Sequence, residues 1–163
     1  MATGSPKRAK ESVWDYPRPP RIEPESRRVR VELDGEILAD SIRALRVLET
    51  ASPPTVYIPR ADVREDLLSE AQGGHTLCEW KGRADYMHAE AGGIRAERAA
   101  WHYPDPRPDF ERLRGHFAFY AGRVDACYLG KELVRPQGGT FYGGWVTAEI
   151  QGPYKGEPGT EGW

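Results

Sequence analysis

The residues from His75 to Gly82 bring a thiol, a carboxylate, an indole and an ammonium together in the four consecutive positions Cys78 to Lys81. The run follows a Gly73-Gly74 pair and precedes a predicted β-strand. Side chains of such different chemistry can bind a polar molecule, react with one, or hold the end of a strand in place. The run is therefore the first candidate for a functional site.

Cys78 is the candidate nucleophile, and so the candidate catalytic residue. A reactive thiol needs a lowered pKa, commonly supplied by a nearby cation, and Lys81 lies three residues away. On an exposed turn the two side chains could lie side by side, whereas in an extended strand they would point to opposite faces. An inert buried cysteine is the commoner role, and it is the one we expect for Cys127, which lies in an ordinary predicted strand.

Lys81 is the candidate anion ligand, because an ammonium is a compact charge with three donors that suits phosphate or carboxylate. A solvated lysine at a strand end is the alternative. Trp80 would stand beside it at the mouth of a pocket. Glu79 could act as an acid or base, but we expect it to pair with Lys81 or Arg83, since neighbouring opposite charges are usually structural.

Aromatic residues lie on several predicted strands that could share one concave sheet: Tyr57, Tyr86, Trp101, Tyr103 and Tyr120. Aromatic walls with a few polar groups are typical of small-ligand pockets, and core packing explains the rings as an alternative. For the pocket, we predict that the walls are Tyr57, Tyr86, Trp101 and Tyr120.

The body of the chain shows the period-two alternation of β-strands. Val29, Val31 and Leu33 alternate with charged residues, and Asp34-Gly35 predicts a hairpin turn. Residues 42–49 fit a helix or a strand, and a strand is favoured. Further strands are predicted at 36–40, 56–58, 83–91 and 94–103, a last hairpin through 117–120 and 124–129, and short helices over 61–69 and near 109–114.

Composition disfavours several classes of function. The net charge is −2 with Lys and Arg spread along the chain, which disfavours nucleic-acid binding, and no apolar run is long enough for a membrane span. Two cysteines and four scattered histidines predict neither a disulfide framework nor a metal site. With no signal peptide at the N-terminus, we expect a cytoplasmic protein without a cofactor.

The chain divides into four predicted segments. Residues 1–12 form a disordered leader and 13–27 an extended, proline-rich N-terminal arm. Residues 28–134 form a β-rich core domain, and 135–163 a tail rich in glycine and aromatic residues. Disordered segments are poor in aromatics, so the tail is expected to pack on the core or on a partner subunit. An arm and a tail of this kind could build a homodimer.

Four ordered motifs resemble a bacterial domain-of-unknown-function family, number 427, across residues 28 to 134. They are Val56-Tyr57-Ile58-Pro59 with Asp62-Val63, then Thr76-x-Cys78-x-x-Lys81-Gly82-x-Ala84-x-Tyr86, then Ala100-Trp101-x-Tyr103, and Ala118-Phe119-Tyr120. The flanks look like a longer actinobacterial or cyanobacterial branch. The resemblance implies a fold similar to the β-tent: mainly β, two curved antiparallel sheets, with two short helices and extended terminal arms here.

The family also carries a nucleotidyltransferase-like label. Such catalysis needs clustered carboxylates that hold Mg²⁺ beside phosphates, and no paired-aspartate motif occurs. The leading expectation is a domain that binds a small polar or anionic molecule in the aromatic pocket. The alternatives are a non-catalytic homo-oligomeric interaction module and a thiol-dependent enzyme that uses Cys78.

Overall fold

The computed structural model describes residues 9–78, 80–138 and 142–157. This part of the chain is mainly β, and its helices are short 3-10 turns at Val13–Asp15, Arg60–Asp62, Glu65–Leu67 and Pro108–Leu113. No helix in it has the length and apolar character needed to cross a membrane. In chain order the strands are β1 (Glu11–Ser12), β2 (Arg21–Pro24), β3 (Val29–Leu33), β4 (Glu36–Ser41), β5 (Leu45–Leu48), β6 (Thr55–Pro59), β7 (Leu68–Cys78), β8 (Gly82–Ala91), β9 (Ile94–His102), β10 (His116–Phe119), β11 (Ala126–Leu129), β12 (Glu132–Leu133), β13 (Arg135–Pro136), β14 (Trp145–Val146) and β15 (Ile150–Gln151).

Two antiparallel sheets form the body of the protein. The larger sheet has seven strands in the order β2-β5-β6-β10-β9-β8-β7, and the smaller has four in the order β12-β11-β3-β4. The main hydrophobic core contains side chains from both sheets, such as Val31 of β3 and Phe119 of β10. The mainly β, multi-sheet fold expected from the sequence is therefore confirmed.

The large sheet is buried on both faces. Phe117 and Phe119 of β10 belong to the core shared with the smaller sheet, whereas Ala118 and Tyr120 belong to a second, aromatic-rich cluster. This division follows from the strand geometry, since successive side chains point to opposite faces. The second cluster includes Phe110 of the 3-10 segment Pro108–Leu113, and it carries the candidate site.

The helix predicted over 61–69 is wrong. The chain instead makes the two 3-10 turns Arg60–Asp62 and Glu65–Leu67, and β7 begins at Leu68. Leu68 pairs with Ala89 of β8. Tertiary strand pairing here overrides a local helical pattern, as it often does.

The ambiguous segment 42–49 contains β5, which pairs with β2 and β6, so the favoured strand is confirmed.

The last predicted hairpin is also wrong, although its strands exist. β10 pairs with β6 and β9 in the large sheet, whereas β11 pairs with β3 and β12 in the small one. The chain therefore crosses from one sheet to the other between Tyr120 and Ala126. The hairpins β3–β4 and β8–β9 form as predicted.

The N-terminal arm and the C-terminal tail contact their own chain. Glu11–Ser12 pairs in parallel with Ile150–Gln151, and Arg21–Pro24 is the edge strand of the large sheet. Glu11 and Ser12, which the sequence placed in a disordered leader, thus form a strand, and leader residues 1–8 lie outside the described part. In the tail, Trp145 is buried and its indole donates a hydrogen bond to Phe119 O at 2.8 Å.

Candidate functional site

The run His75–Gly82 forms a hairpin, not the start of a strand. β7 ends at Cys78, β8 begins at Gly82, and these two residues face each other across the pair. Gly82 has φ +113°, a conformation that favours glycine. The turn places Cys78 Sγ 3.8 Å from Lys81 Nζ, so the side-by-side alternative is the one observed. Glu79 lies outside the described residues, and so does its predicted pairing with Lys81 or Arg83.

A cavity of about 230 Å³ lies against this hairpin on the aromatic face of the large sheet. Six of the seven predicted site residues line it: Tyr57, Cys78, Lys81, Tyr86, Trp101 and Tyr120. The seventh, Trp80, is partly buried and packs against the aromatic-rich cluster without lining the cavity. Trp80 lies in the turn between β7 and β8, so it does not follow the strand alternation that directs the wall side chains into the cavity. This explains why Trp80 lies outside the cavity.

The rings pack against one another to form the wall. Tyr57 and Trp101 meet edge to face, with centroids 6.2 Å apart and planes at 87°. Trp101 and Tyr120 are closer, at 4.6 Å, and Tyr103 lies 6.2 Å from Tyr57. Such pairs stabilise by about 0.5–1.5 kcal/mol each beyond the area they bury, so the wall is held in a defined shape.

The phenol groups of the wall are neutral donors and acceptors. Burial raises the pKa of Tyr57, Tyr103 and Tyr120 well above the ordinary value of a phenol. The Tyr86 hydroxyl shares a hydrogen bond with Thr76 Oγ1 at 2.9 Å. The wall thus combines aromatic surface with neutral O–H groups.

Lys81 is the buried charge of the site, with 9% of its surface exposed. Burial lowers its pKa, but the influence of Tyr103, Cys78 and Glu49 together outweighs burial and raises it, so the group is an ammonium at neutral pH. Among the described residues, the nearest carboxylate oxygen is Glu49 Oε1, 3.8 Å from Nζ. No oxygen atom of the described residues accepts a hydrogen bond from Nζ.

Several cavity residues were not predicted from the sequence. Glu49 and Ser52 follow β5, and Gln137, Tyr142 and Lys155 come from the tail. The tail's aromatic and glycine content indicated an ordered segment, but no local pattern indicated which surface it covers. Tyr103 belonged to the predicted aromatic set and lines the cavity, although it was not among the assigned ligand contacts.

A second, more open depression of about 650 Å³ lies beside Gly82, Asp105 and Arg107. Three of its four charged side chains pair with each other: Arg114 contacts Glu111 and lies 3.2 Å from Asp105. Because these charges are already paired, the smaller cavity is the better candidate.

Across residues 9–78, 80–138 and 142–157, no group of three or more His, Cys, Asp or Glu side chains is arranged to hold a metal ion.

Comparison with known proteins agrees with the motifs. No curated protein matches the chain. A family model described as a domain of unknown function, DUF427, matches residues 21–130, which is more than half of the 163 residues. The match includes the hairpin with Cys78 and Lys81 and all four wall aromatics, and ends before the tail. The chain belongs to the DUF427 family.

Proposed function

We propose that this protein binds a small anionic molecule in the aromatic cavity, with Lys81 holding the anionic group. One observation carries the proposal: a buried ammonium lines the cavity, and no oxygen of the described residues accepts a hydrogen bond from it. Its hydrogen bond goes to the Cys78 sulfur, a weak acceptor, and perturbed ionisable groups in clefts cluster at functional sites. An anionic ligand would supply the missing acceptors.

The other lining groups have supporting roles in this proposal. Tyr57, Tyr86, Trp101 and Tyr120 would contact the apolar or planar part of the ligand, as aromatic walls do in small-molecule sites. Trp80 would stabilise the hairpin from outside the cavity. We propose a cytoplasmic setting as well, since Cys78 and Cys127 are both free thiols and reducing compartments keep them so.

The substitution Lys81→Met tests the proposal directly. We expect it to weaken binding of any anion found in a thermal-shift screen of small carboxylates and phosphates by about 10- to 100-fold, because a hydrogen bond to a charged group contributes about 1.5–3 kcal/mol. Calorimetric titration of both proteins gives the two dissociation constants.

Lys131→Met is the matched control, since Lys131 is exposed and does not line the cavity. It should bind the same anion with unchanged affinity. If Lys81→Met remains folded and binds the anion as tightly as the native protein does, anion binding by Lys81 is wrong.

A thiol-dependent reaction at Cys78 is the second candidate. The observation that favours it is the 3.8 Å contact between Cys78 Sγ and Lys81 Nζ inside a cavity. An adjacent cation is the usual device by which proteins activate a thiol. Cys127 offers an internal comparison, because it is buried and burial raises the pKa of its thiol.

Alkylation with iodoacetamide tests this second candidate. We expect the folded protein to gain one adduct, on Cys78, and the urea-unfolded protein two, as counted by mass spectrometry. If Lys81 activates the thiol, Lys81→Met should slow alkylation of Cys78 by about tenfold at pH 7. Equal alkylation rates in the two proteins would show that Lys81 does not activate the Cys78 thiol, which would contradict this second candidate.

A further inference from the structure

We infer that the ligand of this cavity is a monocyclic aromatic monocarboxylate, of the class of benzoate. The inference rests on the proposed function, since it assumes that Lys81 binds an anion, and it goes further by assigning the size, charge and shape of that anion. Three properties of the described residues carry it: the cavity volume, the balance of charge, and the arrangement of the rings.

The volume sets the size of the ligand. A cavity of about 150 Å³ holds a benzene molecule, and pockets for drug-sized ligands span about 300–1,000 Å³. The present cavity of about 230 Å³ lies between these values. It therefore fits one six-membered ring with a small substituent. A nucleoside triphosphate, the substrate class suggested by the family's nucleotidyltransferase-like label, is too large for it.

The charge balance selects a monoanion. Among the lining residues that the structure describes, the ionised side chains are Glu49, Lys81 and Lys155, which together carry one net positive charge. A single carboxylate neutralises it. A phosphate monoester carries nearly two negative charges, and it would approach Glu49, whose Oε1 is 3.8 Å from the ammonium. Like charges at such separations repel.

Two guanidinium groups make a cationic ligand unfavourable. Arg98 lies over the Tyr86 ring at 4.5 Å, and Arg123 lies over the Tyr120 ring at 3.9 Å. An aromatic ring attracts cations through its negative faces, and here each of these rings already has a cation stacked on it.

The rings favour a planar ligand. Trp101 lies between Tyr57 and Tyr120, edge to face with the first and 4.6 Å from the second. A flat aromatic ligand can extend this arrangement, because offset and edge-to-face ring contacts are each favourable. The neutral hydroxyl of Tyr103, which influences the pKa of Lys81, would supply a further O–H donor to a carboxylate.

Calorimetric titration of the full-length protein with four probes tests the inference. Benzoate has the ring, the plane and the single charge. Cyclohexanecarboxylate keeps the charge without the aromatic plane, benzamide keeps the plane without the charge, and phenyl phosphate keeps the plane with a second charge. We expect benzoate to bind at least tenfold more tightly than each of the other three, and Lys81→Met to weaken benzoate binding at least tenfold.

The outcomes distinguish a wrong ligand class from a wrong proposal that Lys81 binds an anion. If cyclohexanecarboxylate or phenyl phosphate binds as tightly as benzoate and Lys81→Met abolishes that binding, the anion site stands and the aromatic monocarboxylate class is wrong. If benzamide equals benzoate, the charge requirement is wrong. If none of the probes and no anion of the wider screen binds, both the inference and the proposed function are overturned.

Discussion

Lys81 is a buried cation whose donors are only partly used by the described residues. Its ammonium is buried, the Glu49 carboxylate oxygen is 3.8 Å away, and its hydrogen bond goes to a sulfur atom, a weak acceptor. Burying a charge costs several kcal/mol unless other interactions compensate. The raised pKa of Lys81 means that Tyr103, Cys78 and Glu49 together outweigh this cost, so the folded protein favours the ammonium.

We expect Lys81→Met to lower the free energy of unfolding by about 1 kcal/mol, because the folded protein favours the charged form of Lys81 and the variant leaves Glu49 without its cation. Urea unfolding of the native protein and the variant without added anions measures the difference. Lys131→Met, on the surface, should change the stability by less than about 0.5 kcal/mol. A Lys81→Met variant more stable than the native protein would contradict the raised pKa of Lys81.

The tail is the element that completes the cavity, and the match to the family model ends before it, at residue 130. Gln137 is buried and holds two parts of the tail together. Its Nε2 donates to Lys155 O at 2.5 Å, and its Oε1 accepts from Gly144 N at 3.0 Å. Gly143 packs against the Trp101 indole so closely that a Cβ would lie 2.2 Å from Cη2.

We expect Gly143→Ala to destabilise the protein by about 1–3 kcal/mol, because the added methyl overlaps the indole and one of the two must move. Tryptophan fluorescence during urea unfolding measures this loss. Gly122→Ala is the matched control, since a Cβ there meets Pro136 at 3.4 Å, an ordinary contact. Equal stability of the two variants would show that the tail does not press on Trp101.

At the scale of the whole molecule, the buried Arg46 and the partly buried Arg27 hold the terminal segments to the rest of the chain. Arg46 of β5 bonds to Glu11 of β1 at 3.1 Å and to Glu23 of β2. Arg27 bonds to Glu149 of the tail at 2.6 Å and to Glu25 at 2.7 Å. The arm and the tail are thus fixed to their own chain by charge-assisted hydrogen bonds.

Glu149 makes the docking of the tail dependent on pH. Burial raises the pKa of its carboxyl, but hydrogen bonds from Thr147, its own backbone N–H and Arg27 outweigh burial and lower it. A lowered pKa in the folded state contributes stability above the unfolded value of about 4.3. That contribution is lost as the pH falls through the folded value.

We therefore expect Glu149→Gln to lower the free energy of unfolding by about 2 kcal/mol at pH 7. The difference from the native protein should persist to about pH 5 and shrink as the pH falls below about 4.3. Urea unfolding at pH 7, 5 and 3.5 measures it, with the exposed Glu97→Gln as control. A difference that grows toward low pH would contradict the lowered pKa.

Association between copies remains a prediction at this scale. The arm and the tail were expected to build a homodimer. The tail pairs in parallel, through Ile150–Gln151, with Glu11–Ser12 of the predicted leader. Arg27 at the end of the arm bonds to Glu149 of the tail, and Arg46 bonds to Glu11. A dimer through these segments would have to use their outer surfaces. Sedimentation of the protein with and without the residues after Pro136 tests this.

The sequence by itself determined the β architecture and most of the cavity wall. Alternation in strands such as Thr55–Pro59 and Ile94–His102 indicated which side chains share a face, and so Tyr57 and Trp101 could be placed on one wall. The motif around Cys78 and Lys81 indicated the family. These features are local, since they depend on residues a few positions apart.

Tertiary structure alone decided what closes the site. No short-range pattern shows that β11 pairs with β3, that β7 extends from Leu68, or that Glu49, Gln137 and Lys155 meet Lys81 around one cavity. Strand pairing and tail docking depend on surfaces far apart in the chain, whose contacts form only when the sheets pack. The local sequence pattern therefore predicts the aromatic wall. The packed fold determines that Glu49 lies beside the Lys81 ammonium and that the tail lies against the rings.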